Sequence, residues 1–444
     1  MVLRFLLVLR IRASALIAVS FLSVILVGGV LLSLPIASAQ NTPTSFLDAY
    51  FTANSATCVT GLTTLDTGTH FSLFGLLVIL ALIQIGGLGY MTFSTFMVLV
   101  FRQKLFISQK LAVQEALNVY STKDVISVLK KVFGIVFILE GIGTLILFFR
   151  WLPEMGIDRA LLYAVFHSIS AFNNAGFSLV GNYANLLPYA TDWVVNFTIT
   201  SLIIIGGIGF IVIADIIERR RLALHSKVVL LVSFLLIALG TILILALEYN
   251  NPNTLGPLTL PHKMLASYFQ AVTPRTAGFN TLDIGQLTQP TLLFIMFLMF
   301  IGASPGGTGG GIKTTTFAVI IGTIGATLKG LRNTIMFNRR VPVETVRRAI
   351  TITFLALTVV GFAIFILDNI ESFGLMPVAF EVFSAFGTVG LSMGITPSLS
   401  PLGKMIVMLV MFIGRVGPLT MLIGLTLNQK ENKIEPPKEG LSIG

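Results

Sequence analysis

The groups in this 444-residue chain best suited to chemistry lie in its backbone, in four short segments that align around a glycine. They are Thr57-Cys-Val-Thr-Gly61-Leu, Phe172-Asn-Asn-Ala-Gly176-Phe, Pro274-Arg-Thr-Ala-Gly278-Phe and Phe386-Gly-Thr-Val-Gly390-Leu, with the glycines 115, 102 and 112 residues apart. Glycine reaches positive φ without a Cβ clash, so it can turn carbonyls toward a common centre. Rings of backbone carbonyls are what replace the water shell of a dehydrated cation. The residues just before each glycine, Val59-Thr60, Asn174-Ala175, Thr276-Ala277 and Thr388-Val389, are small or β-branched and suit an extended, tightly packed loop. The segments contain no acidic ring, which points to carbonyl rather than carboxylate ligands. The twelve candidate ligand positions are therefore Val59, Thr60, Gly61, Asn174, Ala175, Gly176, Thr276, Ala277, Gly278, Thr388, Val389 and Gly390.

Side-chain chemistry finds little support. One cysteine, Cys58, excludes an internal disulfide framework and a multi-thiolate metal site. Four scattered histidines argue against a histidine-built metal centre. The stretch Gly306-x4-Gly311-Ile-Lys313-Thr falls one residue short of a phosphate-binding loop and has no soluble βαβ unit around it. Gly86-Gly-Leu-Gly89 and Gly206-Gly-Ile-Gly209 lie inside apolar runs, where close helix packing is the reading rather than a dinucleotide fingerprint.

The elements that must position the four segments are membrane elements. The chain is 55% apolar and 11% charged, with a mean hydropathy of +0.92. A soluble core stops growing near about 300 residues and cannot hide that much apolar surface. Runs long enough to cross a bilayer recur, among them 13–34, 73–101, 132–149 and 227–247. Residues 1–40 carry Arg4, Arg10, Arg12 and Ala37-Ser38-Ala39, the parts of a secretory signal. The apolar stretch is longer than a signal core and Pro35 ends it where a span would end, so the reading is an uncleaved first helix.

Before each glycine segment lies a shorter apolar stretch, at 46–57, 161–172, 264–272 and 378–386, too short to span and too apolar for a loop. These read as re-entrant half-helices, whose C-terminal ends carry partial negative charge. Each glycine is followed, 24 to 30 residues on, by an Ile-Gly pair: Ile85-Gly86, Ile205-Gly206, Ile301-Gly302 and Ile413-Gly414. Two markers in the same order four times over predict an all-α polytopic protein. It would have eight spanning helices and four tandem helix–loop–helix repeats around a pseudo-fourfold axis. The boundaries are 1–103, 104–220, 221–338 and 339–428, with a tail at 429–444. This topology puts 22 of the 29 Lys and Arg on one side, in both termini and at 102–131, 219–227 and 329–348. By the positive-inside rule that side is cytoplasmic. The same asymmetry accounts for the basic balance without nucleic acid.

The third repeat departs from its siblings with Ile301-Gly302-Ala303-Ser304-Pro305-Gly306-Gly307-Thr308-Gly309-Gly310-Gly311-Ile312-Lys313. A proline and five glycines in seven residues break a helix, where the other repeats are expected to continue as helix. A helix broken within a span marks a binding or gating site.

The segment from Ser267 to Asn280, together with Met411-Phe-Ile-Gly-Arg-Val-Gly-Pro-Leu, resembles the Trk/Ktr/HKT superfamily of potassium transporters, with the Ktr-type membrane subunits the nearest match. The resemblance runs from the first helix to about Leu427. It implies that the four loops form one K⁺ selectivity filter, glycine at all four positions going with potassium. It also implies that the stretch from Gly302 to Lys313 is an intramembrane gate and that Arg415 faces it. Further implications are a homodimer in the plasma membrane of a bacterium, both termini cytoplasmic, and a cytoplasmic ring of nucleotide-binding RCK (KtrA-like) subunits. No cofactor is expected on this chain, with Na⁺ a candidate activator. A secondary cation symporter is the alternative; its signature is inverted repeats, whereas these four share one orientation. A membrane enzyme is the third class and lacks paired acids in the spans.

Other residues carry plainer expectations. Lys313 either snorkels to the cytoplasmic edge or serves the gate. Arg275 braces the third loop's backbone. His167 and Glu381 cap or pack the half-helices, and Glu140 and Asp215 lie solvated near span ends.

Overall fold

The computed structural model describes residues 13–89, 125–218 and 222–417. The basic residues of the N-terminus, those at 102–123 and 219–221, and the C-terminal tail lie outside them. Helices α1 (Ala13–Ser33), α2 (Phe46–Cys58) and α3 (Leu73–Leu88) come first. They are followed by α4 (Val125–Met155), α5 (Ile157–Phe172), α6 (Trp193–Ile208) and α7 (Phe210–Glu218). Next come α8 (Leu224–Glu248), α9 (Leu260–Val272), α10 (Gln289–Phe300) and α11 (Thr314–Leu328). A two-stranded antiparallel hairpin, β1 (Ile335–Met336) and β2 (Arg339–Arg340), pairs Ile335 with Arg340. Helices α12 (Val343–Ile370), α13 (Leu375–Gly387) and α14 (Pro401–Val416) complete the chain's described order.

Among the described residues, Val132–Met155, Leu224–Glu248 and Val343–Ile370 are long and apolar enough to cross a bilayer, and α6 with α7, bent by 95°, makes a fourth. Large apolar side chains on these helices face outward, Phe234, Phe354 and Phe365 each being more than two-thirds exposed. A soluble protein would not display such a band, whereas hydrocarbon solvates it. Their opposite faces are small or apolar, as with Gly240 and Ile244 on α8 and Ala356 and Val360 on α12. The chain is thus a mostly helical, multi-pass membrane protein. Its apolar interior divides into four main cores, one behind each of the short helices α2, α5, α9 and α13.

The four groups of helices close on themselves. Lys404 of α14 pairs with Asp48 of α2 at 2.7 Å, and Asn54 of α2 donates to the carbonyl of Met408 at 3.1 Å. Carboxylates at the ends of two long helices hold the starts of two others. Glu248 accepts from the amide of Thr288, the N-cap of α10, and Glu371 accepts from the amide of Ser400, the N-cap of α14, each at 2.9 Å. Such caps satisfy amides that a helix start leaves unpaired.

The expectation that only the third broken helix departs from its siblings is corrected. α3, α6 and α14 all stop three residues after their Ile-Gly glycine, at Gly89, Gly209 and Gly417, each with φ between 80° and 95°. Left-handed backbone ends a right-handed helix, and Gly209 turns the chain through the 95° bend into α7. Among the described residues, the third differs from the α6–α7 junction in the length of irregular chain, residues 301–313, between α10 and α11.

Candidate functional site

The short helices α2, α5, α9 and α13 lead into the glycine segments, α9 stopping earliest, at Val272, and all four share a left-handed residue. Two residues before each glycine the backbone is left-handed, at Val59 (φ 57°), Asn174 (59°), Thr276 (72°) and Thr388 (50°). The glycines follow at 95°, 71°, 73° and 91°. The amides of Thr60, Ala175 and Val389 return to the carbonyls of Ser55, Ser170 and Ser384 at 2.8 Å, and that of Ala277 to Thr273 at 2.9 Å. This is the bond of a helix C-cap, where glycine normally takes the left-handed position. Here three of the four are β-branched, a cost of about 1–3 kcal/mol each that persists only where the surroundings over-determine it.

Side chains missed in the sequence supply part of that over-determination. Ser55 and Ser384 accept hydrogen bonds from the amides of Gly61 and Gly390 at 3.0 Å. Ser170 donates to the carbonyl of Phe177 at 2.9 Å, and Thr273 donates to that of Phe279. Three serines six residues before their glycine were the signal available to find them. His167 and Glu381, each nine residues before a glycine and fully buried, are not caps. His167 Nε2 shares a hydrogen bond with Ser178 Oγ at 3.0 Å. Glu381 accepts from Ser392 at 2.7 Å and Thr396 at 2.5 Å. They tie the second and fourth short helices to the chain that follows their glycine.

The four loops meet in a closed cycle. A Cβ on Gly61 would stand 2.5 Å from the carbonyl oxygen of Ala175, and one on Gly176 would stand 2.6 Å from that of Ala277. A Cβ on Gly278 would strike the carbonyl of Val389, and one on Gly390 the carbonyl of Thr60, which returns to the first loop. On one face of this ring lies a cavity of ≈ 440 Å³ lined by Gly61, Gly176, Gly390, Asp66 and Asp283. The Ile-Gly glycines press on the same structure from behind. Cβ atoms at Gly86, Gly206 and Gly414 would collide with the carbonyls of Thr57, Phe172 and Phe386, the residues four before each ring glycine. Gly302 instead meets Gly310 of its own loop.

That loop crosses the ring's other face. The amides of Ser304 and Thr308 donate to the carbonyls of Gly207 (2.9 Å) and Gly206 (3.2 Å), and that of Gly310 to Thr388 Oγ1 (2.9 Å). Gly306 accepts from the amide of Phe210 at 3.0 Å, and Gly311 donates to Gly414 at 3.3 Å. Ser304 and Thr314 share a hydrogen bond at 2.8 Å. Cβ atoms on Gly309 and Gly310 would strike Thr276 Oγ1 and Thr388 Oγ1, so this strap lies directly against the ring, with Ala303 packed on Gly309 and with Pro305 and Gly307 against Gly209 and Gly207. Inside a membrane, non-helical backbone must find such partners.

Arg415 grips the strap, its guanidinium donating to the carbonyl of Thr308 and to that of Gly86, with Gly87 at 3.4 Å. Lys313 turns back onto the loop, its ammonium bonding the carbonyl of Gly309 at 2.6 Å. Among the described residues Arg275 makes no hydrogen bond to loop backbone, against expectation; it is buried and donates to Ser233 Oγ of α8 at 2.9 Å. Glu140 and Asp215 are each only 5% exposed, not solvated. Residues 125–155 form one helix, which places Glu140 at its middle, and Asp215 of α7 accepts from the amide of Ala223, which precedes α8, at 2.8 Å.

The TrkH family, described as cation transport protein, matches residues 8–434. The chain belongs to it. It is 45% identical to Ktr system potassium uptake protein B of Bacillus subtilis over 425 residues, 95% of each chain. It is 43% identical to the protein of that name in Vibrio alginolyticus, over 91% of this chain and 89% of the other. It is 39% identical to the potassium/sodium uptake protein NtpJ of Enterococcus hirae, over 98% of each. The potassium transporter TrkH from Vibrio parahaemolyticus is similar in fold, with a TM-score of 0.72 at 20% identity, covering 91% of this chain and 84% of that one. As a TrkH-family member the chain is a transport protein and not an enzyme.

Proposed function

We propose that this chain is the ion-conducting subunit of a K⁺-uptake system, in which the four-loop ring is the selectivity filter and the strap is its gate. The observation that carries this reading is the cycle of four glycines, each seated on a carbonyl-bearing residue of the next loop. Four carbonyl-lined turns around one axis can exchange with a cation's hydration shell, and K⁺ is the ion named for the relatives in two Bacillus and Vibrio systems. The shorter apolar helices then complete eight spans, arranged as four tandem repeats about the ring axis. The strap lies on the cytoplasmic side, opposite the ≈ 440 Å³ outer cavity. K⁺ is cargo, and no resident cofactor is called for.

Purified protein in liposomes should take up K⁺ in response to an inside-negative potential alone. Uptake that stays near background until an Na⁺ or H⁺ gradient is imposed would replace the conduit by a coupled symporter.

Regulation enters from the cytoplasmic face in this reading, through a ring of nucleotide-binding subunits, and the pore subunit works as a homodimer. The β1–β2 hairpin supports a docking role, since it holds Arg339 and Arg340 exposed on a rigid turn packed against α11 and α12. Reversing both charges to glutamate should weaken capture of the ring by about tenfold or more at low salt and remove nucleotide control of uptake. Binding and control that survive the reversal place the docking surface elsewhere.

A further inference from the structure

We propose that Glu140 is a positioning residue that couples the root of the second filter loop to the seat of Arg415. This inference rests on the filter-and-gate reading above. Glu140 is a carboxylate at the middle of a long apolar helix, where an ionisable group is costly to keep. Its two oxygens serve different elements. Oε1 accepts from the side-chain amide of Asn173 at 3.0 Å, and Oε2 accepts from that of Gln84 at 3.4 Å. Gln84 in turn accepts from Asn173 at 2.9 Å, closing a triangle of three side chains from α3, α4 and the end of α5.

Each corner of the triangle leads somewhere. Asn173 immediately precedes Asn174, the left-handed residue of the second loop, which hydrogen-bonds to Thr276 Oγ1 of the third at 3.1 Å. Gln84 lies on the last turn of α3, two and three residues before Gly86 and Gly87, whose carbonyls receive the Arg415 guanidinium. Gly87 also packs directly on Asn173, since a Cβ there would collide with its side-chain oxygen. The helix itself is pinned to α5, because Ser168 donates to the Glu140 carbonyl at 2.7 Å. The carboxylate therefore joins the turn that shapes the filter to the helix end that anchors the gate's arginine. A shift at either must be accommodated by the other.

Both oxygens face amide donors, an arrangement a carboxylate meets and a glutamine cannot, because its own NH₂ would confront one of them. Exchanging the partners keeps the polarity: glutamine at 140 can donate to an aspartate at 173. The test is K⁺ and Na⁺ uptake in proteoliposomes by Glu140→Gln, Asn173→Asp and the double exchange, with and without Arg415→Ala. Each single change should lower the K⁺-over-Na⁺ uptake ratio about tenfold, the scale on which groups behind an ion's ligands act. The exchange should return the ratio to within about twofold of the parent. The rate gain from Arg415→Ala should also shrink in the Glu140→Gln background. A brace that only held the fold would lower protein yield and melting temperature and leave the ratio alone. An unchanged ratio in both single variants, or additive effects with Arg415→Ala, overturns the coupling. Should a single variant fail to reach the membrane, the exchange decides: recovery of yield and ratio supports the pairing, and an exchange as defective as the singles sinks it. Absence of K⁺ preference in the parent protein would instead count against the filter reading itself.

Discussion

Serine in place of Gly278 is expected to reduce discrimination between K⁺ and Na⁺ by at least about tenfold. Two costs act together. The residue sits at φ 73°, where an L side chain pays about 1–2 kcal/mol. Its Cβ would also strike the carbonyl oxygen of Val389, whose peptide plane is held by the hydrogen bond from the Gly390 amide to Ser384 Oγ. That backbone has no rotamer to change, so the carbonyl must move, and with it a ligand of the neighbouring loop. A tenfold change in preference needs only about 1.4 kcal/mol, less than the strain and collision combined. Gly61→Ser should act in the same direction but less strongly, because its Cβ would stand 2.5 Å from the Ala175 carbonyl. Uptake kinetics for both ions, in cells lacking other potassium importers and at matched expression, give the ratio. Parental selectivity in both variants would remove these glycines from the filter.

Deleting residues 306–310 should raise the maximal rate of K⁺ uptake several-fold with little change in the concentration at half-maximal rate, and Arg415→Ala should do the same to a lesser degree. The strap is held across the ring by groups from three directions: carbonyls of Gly206 and Gly207, the hydroxyl of Thr388, and Arg415 anchored on Gly86. A charged hydrogen bond of this kind contributes about 1.5–3 kcal/mol, enough to bias a two-state element by more than tenfold. In the proposed filter-and-gate reading, Arg415 adds a positive charge on the path a cation takes after the filter. Removing it weakens the closed arrangement and lowers that barrier together. The filter's carbonyls are untouched in both variants, so affinity should hold. A deletion variant that reaches the membrane and conducts no faster than the parent would end the gate assignment.

Much of this architecture was legible because glycine and Ile-Gly spacing is a backbone signal. A position that needs positive φ or close approach tolerates little else, so Gly61, Gly176, Gly278 and Gly390 mark the ring however much the rest varies. The sequence did not disclose why the second marker recurs; the structure does, since Gly86, Gly206 and Gly414 let a helix touch the end of a short helix. Buried polar groups were harder to place. Glu140, His167 and Glu381 look alike in sequence to solvated or capping residues, because burial depends on which helix face meets a neighbour far along the chain. Arg275 follows the same rule: its partner, Ser233, lies 42 residues away on α8 and leaves no local mark in the sequence. The stops at Gly89, Gly209 and Gly417 were hidden because hydropathy continues past them, and hydropathy carries no record of backbone hand.

The contact between Gly390 and Thr60, with the pairing of Asp48 and Lys404, joins residues from opposite ends of the described chain. During synthesis the first loop enters the membrane long before its last neighbour exists. Until the fourth loop arrives, the ring is an open arc, and its carbonyls have no centre to share. A chain that ends after the third loop therefore lacks the contacts that close the ring. If the ring is the filter proposed above, conduction waits for the final stretch of translation.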